Sequence, residues 1–141
     1  MLAITVKIEF AAAKRLLGYE GKCAFLHGYR HAIEASFSAE NLNDAGMAVD
    51  FYAVRKLLQD WVDENWDHNL ILNAKDKELG DSIEKITSQK IFYLAENPTA
   101  ENMAEYLFQK ICPELIKDYI GLKCVKLRLY DNPGAWVEIS G

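Results

Sequence analysis

The side chains with the greatest capacity for chemistry crowd into FAAAKRLLGYEGKCAFLHGYRH, residues 10–31, and WDHNLIL, residues 66–72. The first stretch holds a lysine (Lys14), a thiol (Cys23) and two histidines (His27 and His31) among turn-forming glycines, and the second holds the adjacent pair Asp67 and His68. A thiolate acts as base or nucleophile once a neighbouring cation or imidazole lowers its pKa from about 8.5. An imidazole with one nitrogen held by a carboxylate is an oriented proton relay. Each residue also has a plainer reading. Asp beside His is commonly a cap or turn, His31 pairs with a sheet neighbour, and Lys14 is a solvated or salt-bridged cation. Residue types leave both readings open and do not by themselves bring positions 23 and 68 together.

A chain of 141 residues, half of them apolar, is expected to bury one core and form a single domain over 1–141. The formal charge of −5 gives no support for nucleic acid or an anionic membrane as a partner. No apolar run approaches the ~20 residues needed to span a bilayer. The N-terminus MLAITVKIEF alternates with period two and reads as a strand, not a signal peptide. Cys23, Cys112 and Cys124 form no CxxC pair and no even set, which suits free thiols in a reducing, cytoplasmic setting.

The positioning elements follow from periodicity. Ile4, Val6, Ile8 and Phe10 alternate with polar residues and predict a strand over 2–10. Tyr29, His31, Ile33, Ala35 and Phe37 form one face of a second strand, opposite Arg30, Glu34, Ser36 and Ser38. Between them, residues 11–28 show no sustained period. Asp50 is placed to cap a helix whose stripe is Phe51, Val54, Leu57, Leu58, Trp61 and Val62. Residues 73–89 read as a polar surface excursion, and KIFYL as a short β-prone run. Thr99 caps a second helix with Met103, Leu107 and Ile111 inward, which Pro113 ends or interrupts. Lys123–Tyr130 and Ala135–Ile139 complete the chain as strands around a DNPG turn. The expectation is an α+β domain, a four-stranded antiparallel sheet with two helices on one face in the order ββααββ.

The words FAAAKRL, GYEGKCAFLHG, GMAVDF, DHNLILN, NPTAEN and DNPGAW, in this order, resemble the 6-pyruvoyltetrahydropterin and 6-carboxytetrahydropterin synthase family over Phe10 to Trp136. The resemblance implies the tunnelling fold, in which sheets join edge to edge into an oligomeric barrel. It therefore implies self-association as a trimer or a dimer of trimers, with active sites between subunits. It places Cys23 as the general base, and Asp67 with His68 as the relay. Asp131 falls where the family has a glutamate that grips the pterin ring, one methylene longer. Thr99 and Glu101 line the same pocket in that comparison, although helix capping also accounts for both, and Asp131 also begins the DNPG turn.

The zinc site that the resemblance implies is altered. The family binds the metal through three histidines, but Lys14 stands at the first ligand position and Tyr29 at the third, leaving His27. An ammonium has no lone pair to donate, and a phenol must first lose a proton with pKa about 10. Tight zinc binding there is not expected, and a shifted site using His27 and His31 is the weaker alternative. Lys14 can instead stabilise developing negative charge, with Tyr29 as a proton donor, as the lysine and tyrosine of metal-free aldolases do.

The leading expectation is a pterin-binding lyase acting on the side chain of dihydroneopterin, its triphosphate or a related pterin, in tetrahydropterin or queuosine biosynthesis. The alternatives are a non-catalytic oligomer binding a pterin or purine-like ligand, and the metal-free aldolase type. Lys14, Arg15, Lys22 and Arg30 leave a phosphorylated substrate open.

Overall fold

A computed structural model describes all 141 residues. The first strand, β1, spans Ile4–Lys14 and is longer than the periodicity suggests. Val6, Ile8, Phe10, Ala12 and Lys14 are all buried, so the inward phase simply continues through the alanines. Alanine has little strand preference of its own, which is why the sequence masks this extension. β2, His27–Ala39, pairs antiparallel along all of β1, from Ile4 opposite Phe37 to Lys14 opposite His27. The chemistry-bearing residues 14, 27, 29 and 31 therefore lie within strands.

β5 (Leu122–Asn132) pairs antiparallel with β2, and β6 (Ala135–Ser140) with β5. These four strands are the expected antiparallel unit. The sheet is larger, however, because β3 (Leu70–Asn73) and β4 (Ile91–Leu94) extend it in the order β4-β3-β1-β2-β5-β6. β3 lies parallel to β1, and β4 parallel to β3, so the sheet is mixed. Leu70, Ile71 and Leu72 are all buried, and a strand covered on both faces has no polar alternation to reveal it. β3 joins β1 only at Ala13 and Lys14, whereas β2 holds β5 from Ala32 to Ala39.

Three helices accompany the sheet. α1 (Phe51–Asn65) starts where the Asp50 carboxylate accepts the Tyr52 N–H at 2.7 Å, and it buries Val54, Leu58 and Val62 against β1. Phe51, expected in that stripe, is 55% exposed because it sits in the first turn, beyond the sheet's cover. α2 (Lys77–Thr87) occupies the stretch read as an irregular excursion. Its sequence is mostly polar and carries a glycine, so its helical signal is weak. α3 (Ala100–Tyr106) is capped by Thr99, whose hydroxyl accepts the Asn102 N–H at 3.1 Å. The chain then passes without a break through a widened turn, Leu107–Ile111, into a last helical turn at Cys112–Leu115. Pro113 is thus carried, not excluded. Its ring would crowd the carbonyl four residues back in a regular helix, and the wider turn relieves that.

The core lies between the sheet and α1 and α3, with Phe10, Ile33, Phe37, Trp66, Met103, Leu107, Leu127 and Leu129 fully buried. The opposite sheet face is polar, with Arg30 bonded to Glu9 and Arg128 to Glu138. No helix is long and apolar enough to cross a membrane.

Gly80 of α2 is buried against Tyr93 of β4, and a Cβ there would collide with the Tyr93 hydroxyl, which itself has no partner. Gly80→Ala gains about 1 kcal/mol of helix propensity but overpacks by more, for a net loss of about 1–2 kcal/mol. Tyr93→Phe is expected to be near neutral alone and to recover part of that loss, so urea midpoints of the four proteins should show coupling.

Candidate active site

One end of the sheet converges on a single pocket of about 460 Å³. β1 ends there with Lys14, β2 begins with His27, β5 places Asp131 one residue before its end, and α3 contributes its cap Thr99 and the first-turn Glu101. Cys23 joins them from a short helical turn, Lys22–Ala24, in the connection between β1 and β2. Six of the residues singled out in the sequence are thus gathered. Strand pairing explains the first two, since residues opposite one another in an antiparallel pair share a face.

Lys14 dominates the electrostatics. It is 3% exposed, its ammonium lies 2.5 Å from Asp131 Oδ1, and the Met103 sulfur is 3.9 Å away. Asp131 is 28% exposed and keeps its second carboxylate oxygen for other partners. His27 Nδ1 lies 2.7 Å from the Phe25 carbonyl. A carbonyl only accepts, so Nδ1 carries the proton and Nε2 keeps its lone pair.

The remaining expected residues lie elsewhere. Tyr29 stands edge-on between His27 and His31, with ring centroids 5.3 and 6.2 Å apart, but does not line the pocket. His31 is fully buried, stacks on Phe10 at 5.0 Å and does not line the pocket. Its Nδ1–H donates to the Tyr130 carbonyl at 3.0 Å, and Nε2 has no partner. Burial, and then the charge of Lys14, push its pKa down to about 4.

Asp67 and His68 form the expected couple, with His68 Nδ1 2.8 Å from Asp67 Oδ2. The other Asp67 oxygen accepts the Ala11 N–H at 3.0 Å. Burial acts to raise the Asp67 carboxyl, but these hydrogen bonds outweigh it and hold the group below the usual range. His68 sits at φ +58°, a left-handed conformation that costs a non-glycine residue about 1 kcal/mol. Its side chain is 81% exposed and outside the pocket, so one chain does not bring Cys23 and His68 together.

Asn97 was missed. It lines the pocket, and its amide clasps both backbone groups of Leu17 at 2.9 and 3.0 Å, fixing the loop that carries Cys23. The only available signal was its place at the head of NPTAEN. Next to the pocket, Arg15 makes a two-pronged ion pair with Asp76, at 2.5 and 2.6 Å, and Asp76 is buried.

Comparison with known proteins adds to this geometry. The family model for 6-pyruvoyl tetrahydropterin synthase matches residues 3–141. The chain belongs to that family. The 6-carboxy-5,6,7,8-tetrahydropterin synthase of Rickettsia bellii is 42% identical over 139 residues, covering 99% of this chain and 100% of that protein. The enzyme of the same name from Aquifex aeolicus is 34% identical over 124 residues, covering 83% of this chain and 75% of that protein. Among solved structures, an uncharacterized protein of Wolinella succinogenes superposes with a TM-score of 0.76 at 18% identity, covering 99% of this chain and 98% of that one. Caenorhabditis elegans 6-pyruvoyl tetrahydropterin synthase superposes with a TM-score of 0.67 at 18% identity, covering 99% and 95%. The likeness to these structures supports an α+β fold built on a mixed sheet and three helices.

The side chains at the implied zinc position do not fit the metal. Lys14 presents a cation already joined to Asp131, Tyr29 presents a phenol, and His27 alone keeps a suitable lone pair. Catalytic zinc sites use three neutral or anionic ligands.

His31 yields a pH prediction. The unfolded imidazole titrates at 6.5 and the folded one at about 4, so between these values only the unfolded chain takes up the proton. Stability is therefore complete above about pH 6.5 and falls as pH drops towards 4, by about 3 kcal/mol in all. Denaturant midpoints measured from pH 7 to 5 should show this slope, and His31→Phe should flatten it.

Proposed function

We propose that this protein is a pterin side-chain lyase that works without zinc at the family position. The observation that carries the reading is the convergence of Lys14, Cys23, His27, Thr99, Glu101 and Asp131 on one pocket, in a chain of this family. The names of the Rickettsia and Aquifex relatives support a pterin as ligand, and the substrate would be dihydroneopterin or a related pterin. The free oxygen of Asp131 would accept from the amidine-like edge of the ring, as a carboxylate does from paired N–H donors.

Cys23, once ionised, would take the proton of the C2′ hydroxyl of dihydroneopterin. As that oxygen becomes a carbonyl the C1′–C2′ bond breaks and its electron pair passes to the C6=N5 imine of the ring, and return of the proton to C1′ leaves a hydroxymethyl pterin and a released two-carbon aldehyde. The Lys14 ammonium would stabilise the oxyanion that develops, the electrostatic part of a metal's work. Asp67 and His68 would serve the pocket of a neighbouring subunit, which suits a relay that points outward from its own chain. Assembly into a trimer or a dimer of trimers belongs to the same proposal.

Turnover of 7,8-dihydroneopterin, followed by chromatography of the products, tests this reading. Cys23→Ala is expected to lower kcat by 10²- to 10⁴-fold while neopterin binding changes little. Binding without any turnover in the wild type would leave only the non-catalytic oligomer. A second measurement addresses the metal. After supply of zinc and dialysis, the wild-type protein is expected to hold none, whereas Lys14→His combined with Tyr29→His should hold about one ion per chain through the restored three-histidine set. Stoichiometric zinc in the wild type would overturn the metal-free reading.

A further inference from the structure

We infer that Asp76 and Asn97 are positioning residues for Cys23, holding the loop from which its thiol enters the pocket. The inference rests on the reading of Cys23 as the base and concerns how that base is kept in place.

Cys23 belongs to a single helical turn, closed by bonds from the Ala24 N–H to the Gly21 carbonyl and from the Phe25 N–H to the Lys22 carbonyl, each 3.0 Å. These bonds shape the turn. Its attachment to the end of β1 is a further backbone bond, in which the Leu16 N–H donates to the Cys23 carbonyl at 2.8 Å. Leu16 is in turn held through both of its neighbours. Arg15 is clamped by the two oxygens of Asp76 at 2.5 and 2.6 Å, and Leu17 makes two backbone bonds with the Asn97 amide at 2.9 and 3.0 Å.

Both anchors are committed to this task. Asp76 stands at the N-cap position of α2, where a carboxylate ordinarily accepts a helix N–H for a gain of about 1 kcal/mol, yet it makes no such bond and gives both oxygens to Arg15. It is buried and does not line the pocket, so its influence there passes through the loop. Asn97 does line the pocket, but its Oδ1 accepts from Leu17 and also from the Asn73 side chain at 3.1 Å, which fills both lone pairs from within the chain. Its carbonyl accepts from the Asn102 side chain at 2.9 Å. The clasp therefore stands on β3 and α3, outside the loop that it holds. A reacting group displaced by about 1 Å can cost about a hundredfold in rate, which is the scale on which such anchors act.

The test combines hydrogen exchange with kinetics on Asn97→Ala and Asp76→Asn, each of which leaves the other anchor intact. In both, the Leu16 amide is expected to exchange at least about tenfold faster while the amides of the β1–β2 ladder keep their rates. The kcat for 7,8-dihydroneopterin should fall about ten- to a hundredfold, with neopterin binding changed less than about twofold. In a Cys23→Ala background the same substitutions should lower the residual kcat by less than about twofold, because residues that act through Cys23 have nothing left to position. Three results overturn the inference while leaving Cys23 as the base: Leu16 exchange raised no more than that of the ladder in both variants, neopterin binding weakened as much as kcat, or the full loss of kcat repeated without Cys23. Absence of turnover in the wild type, or full turnover in Cys23→Ala, overturns the base reading and the inference together.

Discussion

A lysine brought almost wholly out of water at the end of a strand must find an anion, and Asp131 is the one this fold supplies. Breaking such a pair by removing one partner typically costs about 3–5 kcal/mol, so the ends of β1 and β5 are held in one arrangement. Much else depends on it. The pair sets the position of the carboxylate that faces the pocket and occupies the place at which the family resemblance implies a metal, while burial, with a smaller contribution from the Lys14 charge, keeps His31 neutral. A single pairing thus links strand alignment and the charge of the cavity.

The pocket's charge pattern has a chemical logic of its own. A divalent ion can polarise an oxygen without being neutralised by its surroundings, whereas an ammonium joined to a carboxylate presents a dipole. Such a dipole stabilises charge that appears close to the nitrogen and offers little to charge farther away. A site built this way favours reactions in which one oxygen becomes negative for a short time.

Much of this arrangement was legible in the sequence, and the gaps have physical causes. The alternation in Ile4–Phe10 and Tyr29–Phe37, the caps at Asp50 and Thr99, and the DNPG reversal each carry a local signal, and each marks an element that formed. β3 lacks such a signal because burial on both faces removes alternation, and in α2 the stripe of Leu79, Ile83 and Ile86 is short, set among polar residues and interrupted by Gly80. The pocket was partly legible. The motif words named Lys14, Cys23, His27, Thr99, Glu101 and Asp131, but not that Lys14 and Asp131 would bond, since 117 residues separate them. The alternation of the second strand also placed His31 correctly in the core.

The narrow attachment of β3 to β1 carries a further consequence. With only Ala13 and Lys14 as rungs, the unit formed by β3, α2 and β4 is tied to the main sheet by few shared hydrogen bonds, supplemented by Asp67 and His68 against Ala11. Segments joined in this way exchange their amide hydrogens through partial openings that leave the rest of the protein closed. The Asp67–His68 couple lies where that unit meets β1, so the exchange rate of the His68 amide, bonded to the Ala11 carbonyl, reports how firmly that junction is held.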